Sequence, residues 1–224
     1  MTDYAQIYCA LRGRVCELAR GADGEELERL APAAPEWRVC DLVAHLSGIT
    51  ADINAGNLEG VATDAWTARQ VDARRGWTIE RLLDEWDAEG RKVEAVMPSL
   101  PDFAVGQMLF DAATHEHDIR GALGRPGARD SDAMALAFDW SQQGLTAAAD
   151  TADVTLRLET DAGATTLGSG TRRIGLRVDW FDLFRALTGR RSLDQMRAFG
   201  WDGEVMPELL VFGIFTPRPT PLVE

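Results

Sequence analysis

The hydrophobic period of this chain changes once, near Asp150, and that change limits it to a fold in which helices come first and a sheet follows. Before that point apolar side chains recur every three or four positions. Beyond it Val154, Leu156 and Leu158, and again Ile174, Leu176 and Val178, alternate with polar neighbours, the period of a half-buried strand. Helices followed by strands predict an α+β chain. Residues 1–128 are expected to form a four-helix bundle, and residues 129–224 a linking helix and a small antiparallel-sheet α+β domain.

Ile7, Leu11, Val15 and Leu18 define a first helix that ends near Gly21 or Gly24. A loop rich in Pro and Ala follows, and Pro35 to Asp41 lead into a second helix striped by Leu42, His45, Leu46, Ile49 and Ile53. A polar connection through Asn57 and Gly60 precedes a third helix carrying Ile79, Leu82, Leu83, Trp86, Val93 and Val96, with Thr78 as its cap and Pro98 as its stop. The fourth carries Met108, Ala112, His115, Ile119 and Ala122, and stops in Leu123-Gly124-Arg125-Pro126-Gly127. Ser131 or Asp132 starts a fifth through Met134, Phe138 and Leu145.

In the C-terminal part, Asp161-Ala162-Gly163 and Gly168-Ser169-Gly170 read as turns around a short strand from Thr165 to Leu167, so a small antiparallel sheet is expected. Asp179 caps a helix bearing Leu183, Phe184 and Leu187 and closed by Gly189. Ser192-Leu193-Asp194-Gln195 is a capping box that opens another short helix, ended by Gly200.

The chain has three histidines, and two of them, His45 and His115, fall on apolar helix faces. Asp111 lies one turn before His115, so carboxylate and imidazole project side by side. Each residue turns a helix by about 100°, so His115 and His117 diverge and cannot serve one site. His117 has no carboxylate at the equivalent offsets, which suits a solvated or rim position. With His45 from a facing helix, Asp111 and His115 make a set of two imidazoles and one carboxylate that fits zinc, and also nickel, iron or manganese. Three protein ligands leave a position open, the mark of a catalytic or substrate-binding metal. Asp118 is either a further ligand or an acceptor for an imidazole N–H. An Asp–His hydrogen bond with no metal would also satisfy a carboxylate on this face.

A formal net charge of -13 and a pI near 4.7 oppose nonspecific binding to nucleic acid or anionic lipid, and favour a small-molecule partner. There is no N-terminal apolar region after a basic start, and the apolar runs fall far short of the roughly 20 residues that span a bilayer, so a cytoplasmic location is expected. Cys9, Cys16 and Cys40 are odd in number and lack CxxC spacing. Cys9 and Cys16 read as small core residues of the first helix.

The segments Glu36-Trp37-Arg38-Val39-Cys40-Asp41-Leu42-Val43-Ala44-His45-Leu46 and Asp111-Ala112-Ala113-Thr114-His115-Glu116-His117-Asp118-Ile119-Arg120-Gly121-Ala122-Leu123-Gly124-Arg125-Pro126 resemble the mycothiol-dependent maleylpyruvate isomerase family, one of the DinB-like metalloenzymes. The resemblance implies a DinB-like four-helix bundle with a divalent metal, commonly zinc, on the positions of His45, Asp111 and His115. The stretch from Asp179 to Ser192 is similar to that family's smaller domain, which is related to sterol carrier proteins. One departure is plain: the isomerase has Glu at the position of Asp111. The implied chemistry is activation of a low-molecular-weight thiol such as mycothiol, for isomerisation of a small electrophilic substrate or S-transfer to it. Arg172, Arg173, Arg190 or Arg191 would neutralise an acidic group, or else form solvated surface. The rival readings are a metal-dependent hydrolase and a non-catalytic metal sensor or apolar-ligand carrier.

Overall fold

The computed structural model describes residues 2–211, 213 and 215–224. The chain divides into two compact units, Met1–Met134 and Ala135–Glu224. In the first, α1 (Tyr4–Arg20) and a single turn, α2 (Gly24–Leu27), precede a small antiparallel hairpin of β1 (Leu30–Ala31) and β2 (Ala34–Arg38). Then come α3 (Val39–Ala55), α4 (Asp64–Ala73), α5 (Ile79–Val96), a 3-10 turn at Met97–Ser99, and α6 (Asp102–Leu123). The division falls inside α7 (Asp132–Thr151).

The four long helices α1, α3, α5 and α6 carry the core. α3 lies along α5, α1 packs on α5 and α6, and α6 touches α3. Leu11 and Val15, Leu42 and Leu46, Leu82 and Trp86, and Ala112 and Ile119 supply it from successive helices, each on the face its period predicts. Truncating one such Leu to Ala costs about 2–5 kcal/mol, so this packing dominates the unit's stability. The ends follow local chemistry. Thr78 accepts from the Arg81 amide to start α5, Ser131 accepts from Met134 in the first turn of α7, and Gly124 closes α6 in the left-handed conformation. No helix among the described residues is long and apolar enough to cross a membrane.

Two elements stand where loops were expected. α4 occupies part of the polar connection, and the β1–β2 hairpin occupies the Pro/Ala-rich loop. The buried positions of α4 are Trp66, Gln70 and Val71, and a buried glutamine does not register as part of an apolar stripe. The hairpin is too short, and β2 too exposed, to show a two-residue period.

α6 is enclosed by α1, α3 and β1, and residues 112–119 are buried without a break. His117 is therefore buried as well, not at a solvated rim; an amphipathic reading assumes one wet face, which this part of α6 lacks. Between the two histidines, fully buried Glu116 accepts from Arg14 of α1 at 2.9 and 2.7 Å and from Arg120 at 3.0 and 2.8 Å. Removing the carboxylate leaves two guanidinium groups facing each other with little water. Glu116→Ala is expected to cost about 3–5 kcal/mol, read as a lowered denaturation midpoint in urea. An unchanged midpoint would mean that this ion triad contributes nothing.

In the second unit, the rest of α7 is followed by β3 (Val154–Thr160), β4 (Gly163–Leu167), β5 (Arg172–Arg177), α8 (Trp180–Leu187), α9 (Leu193–Arg197) and β6 (Gly200–Asp202), with a 3-10 turn at Pro207–Leu210. Asp179 caps α8, and Ser192 with Gln195 closes the capping box of α9. The sheet order is β4-β3-β5-β6. It is mixed, which corrects the expected antiparallel sheet: β3 pairs antiparallel with β4 but parallel with β5, Leu156 opposite Ile174. β6 then pairs antiparallel with β5, so Gly200 begins a strand as well as following a helix.

The reason for the parallel pair lies at Gly168-Ser169-Gly170, which is not a hairpin turn. It carries the chain from β4 past the start of β3 to its other edge. Gly170 lies so close to β3 that a Cβ there would sit 1.9 Å from the Asp153 carbonyl carbon and 2.1 Å from the Val154 nitrogen. Its N–H donates to the Val154 carbonyl at 3.2 Å, and the Thr155 hydroxyl donates to the Gly170 carbonyl at 2.7 Å. β5 consequently starts at the same end as β3 and runs with it.

Candidate metal centre

The corner between β2 and α3 begins the site. Asp41, in the first turn of α3, accepts from the Arg38 backbone N–H at 3.0 Å and from the Arg38 guanidinium at 2.8 Å through each of its oxygens. Burial alone would raise the Asp41 carboxyl, but these bonds hold it below its ordinary value. The corner is thus fixed. It places Trp37 at the end of β2, with its ring centroid 5.0 Å from that of His45 and 5.5 Å from that of His115, stacked on the latter.

His45 projects from the buried face of α3 and His115 from α6, their rings edge to face at 5.1 Å. Asp111, one turn before His115, has a side chain 33% exposed and reaches both: His45 Nε2 lies 3.5 Å from Oδ2, and His115 Nε2 lies 3.7 Å from Oδ1. One ligand atom from each of the three residues falls within 4.8 Å of the others. Donors bound at 2.0–2.2 Å to one tetrahedral ion stand about 3.3–3.6 Å apart, so Asp, though one methylene shorter than Glu, brings its carboxylate to a suitable distance.

The far nitrogen of each imidazole is also occupied. His115 Nδ1 lies 3.0 Å from Oδ2 of fully buried Asp118, which puts Asp118 behind the ring. His45 Nδ1 lies 2.8 Å from Oε1 of Gln70, on α4, whose amide nitrogen donates to Asp52 at 2.9 Å. Both Nε2 atoms are therefore the ones turned toward Asp111. Nδ1 bonded to a carboxylate or amide oxygen, with Nε2 left as a lone-pair donor, is the usual arrangement of a metal-binding histidine. The residues present fit a divalent ion, on the chemistry of this donor set.

Sequence reading brings His45, Asp111 and His115 forward and the structure brings them together. It misses Gln70 and Asp52 entirely. No local pattern marks a glutamine that supports a histidine 25 positions earlier in the chain. Trp37 stands inside the segment already singled out, but its position over the imidazoles depends on the unexpected hairpin.

Other candidates serve elsewhere. Cys16 is buried as expected, whereas Cys9 is exposed, because Tyr8 takes the buried position of that turn of α1. Burial and the neighbouring Asp41 push the Cys40 thiol up to about 11, so it stays protonated at neutral pH. Burial likewise raises the Tyr8 hydroxyl above the usual phenol range. In the second unit Arg172 and Arg173 lie on the exposed part of β5, while Arg191 is buried and bonds Asp182 at 2.9 and 2.7 Å and Glu224 at 2.9 Å.

No protein-family model matches the chain, and no curated protein matches it. Among solved structures, its fold is similar to two crystal structures of the mycothiol-dependent maleylpyruvate isomerase. One, a histidine-to-alanine variant, superposes with a TM-score of 0.60 at 9% identity, over 85% of this chain and 90% of that one. The other gives 0.59 at 10% identity, over 92% and 96%. At such identity the likeness is one of fold.

Proposed function

We propose that this chain is a divalent-metal-dependent enzyme that activates a low-molecular-weight thiol of the mycothiol type, for isomerisation of a small electrophilic substrate or S-transfer to it. One observation carries the reading: the Nε2 atoms of His45 and His115 converge with the Asp111 carboxylate while both Nδ1 atoms are held from behind. The fold shared with the isomerase supports it. On this reading residues 1–128 are a DinB-like bundle and residues 129–224 a linking helix and a domain of the sterol-carrier type.

A divalent ion, commonly zinc in such donor sets, supplies Lewis acidity that favours thiolate over thiol at neutral pH. The chain does the rest. Two neutral imidazoles and one carboxylate, from His45, His115 and Asp111, would leave a bound divalent ion with net positive charge for an anionic sulfur. The Trp37 ring lies against both imidazoles, and partly exposed Asp111 gives the side from which a thiol would enter. None of the three cysteines is needed, in keeping with the protonated state of Cys40.

The test is cobalt substitution followed by titration with candidate thiols. A saturable change in the visible spectrum with a thiol, absent with its hydroxyl analogue, is expected. If no thiol shifts the spectrum but an ester or amide is turned over, metal-assisted hydrolysis replaces this reading.

A further inference from the structure

We infer that Gln70, oriented by Asp52, is a positioning residue that fixes His45 as its Nδ1–H tautomer and so turns the Nε2 lone pair toward Asp111 and His115. A glutamine side chain offers either an oxygen or an NH2 group to its neighbour. Here the choice is forced. The Asp52 carboxylate accepts only, and it lies 2.9 Å from the Gln70 amide nitrogen, so the oxygen must face His45 at 2.8 Å. An oxygen accepts, so His45 Nδ1 must carry the hydrogen.

The packing around Gln70 holds this order. Gln70 is buried on α4, and α4 crosses α3 at Gly48, where a Cβ would come within 2.6 Å of the Gln70 Cβ and 2.9 Å of Arg74 Nη1. Arg74 donates to the Gln70 carbonyl at 3.0 Å and pairs with Glu85 of α5, and Ser47 donates to the same carboxylate. α4 is therefore anchored to both α3 and α5. The two imidazoles are held differently: His115 by a carboxylate, His45 by a neutral amide that passes on the orientation set by Asp52.

The inference rests on the proposed metal site only for its consequence, because the tautomer can be read without metal. In metal-free protein labelled with 15N-histidine, long-range proton–nitrogen correlation well above the usual imidazole pKa is expected to show His45 with Nδ1 protonated. Gln70→Leu should lose that preference and weaken metal binding by about 10–100-fold in a chelator competition, the usual cost of losing such a partner. The double variant Gln70→Glu with Asp52→Asn keeps an acceptor toward His45 and a donor behind it, and should restore both signals. His45 found as the Nε2–H tautomer in the wild type overturns the inference, even if Gln70→Leu fails to fold. So does a Gln70→Leu protein whose tautomer is unchanged. Wild-type protein that shows the Nδ1–H tautomer but takes up no metal upholds this inference and removes the proposed function instead.

Discussion

His115→Ala is expected to abolish stoichiometric metal binding while the protein stays folded. The variant removes one of three donors, so the loss should exceed the 10–100-fold typical of a supporting residue. It also removes the imidazole whose Nδ1 lies 3.0 Å from Oδ2 of buried Asp118, and losing that contact should cost about 1–3 kcal/mol. Elemental analysis of protein purified without a chelating tag gives the metal content, and thermal unfolding separates the two effects. His45→Ala and Asp111→Ala should behave alike in metal content. Asp111 is partly exposed, so its variant should lose the least stability. Wild-type protein free of metal after supplementation would remove the premise. A ligand carrier, by contrast, would keep its ligand in all three variants, whereas an enzyme should lose metal and turnover together.

Gly170→Ala is expected to destabilise the second unit by more than the roughly 1–3 kcal/mol of ordinary overpacking. The new methyl would lie 1.9 Å from the backbone carbon of Asp153, and backbone cannot rotate away as a side chain can. Relieving the clash means moving the crossing link off β3. That breaks the Gly170 N–H bond to Val154 and the Arg172 N–H bond to Asp153, which is 3.0 Å long, and loosens the parallel pair. Chemical denaturation, with hydrogen exchange at the β3 and β5 amides, reads both consequences. Gly13→Ala is the contrasting case: a Cβ on that α1 residue meets nothing within 4 Å, and the better helix former should add up to about 1 kcal/mol. Equal stability of Gly170→Ala and wild type would contradict the strand order.

What was legible in the sequence is what short-range geometry controls. The stripes through Leu11, Leu42, Leu82 and Ile119 identify the four long helices, and Thr78, Ser131, Asp179 and Ser192 mark helix starts. Hydroxyl and carboxylate caps act over three residues, so neighbours in sequence suffice to reveal them. Asp111 and His115 are one turn apart on any helix, and their side-by-side projection needs no knowledge of the rest of the chain. The hidden features depend on partners far away. His117 and Glu116 are buried because α6 is surrounded, which no property of α6 alone declares.

By itself, then, the sequence determined the class of fold, the faces of the helices and the separation of His115 from His117, because each follows from the fixed rotation per residue of a helix or strand. Only the tertiary structure decided the rest. The parallel partner of β3, the arrival of His45 Nε2 beside Asp111, the Trp37 contact and the Gln70–Asp52 support all join residues whose separation along the chain leaves no periodic trace. Close packing chose them. At Gly48 a missing side chain makes room for the Gln70 and Arg74 side chains, at Gly170 it lets one backbone approach another, and these approaches, rather than any local preference, set which distant residues meet.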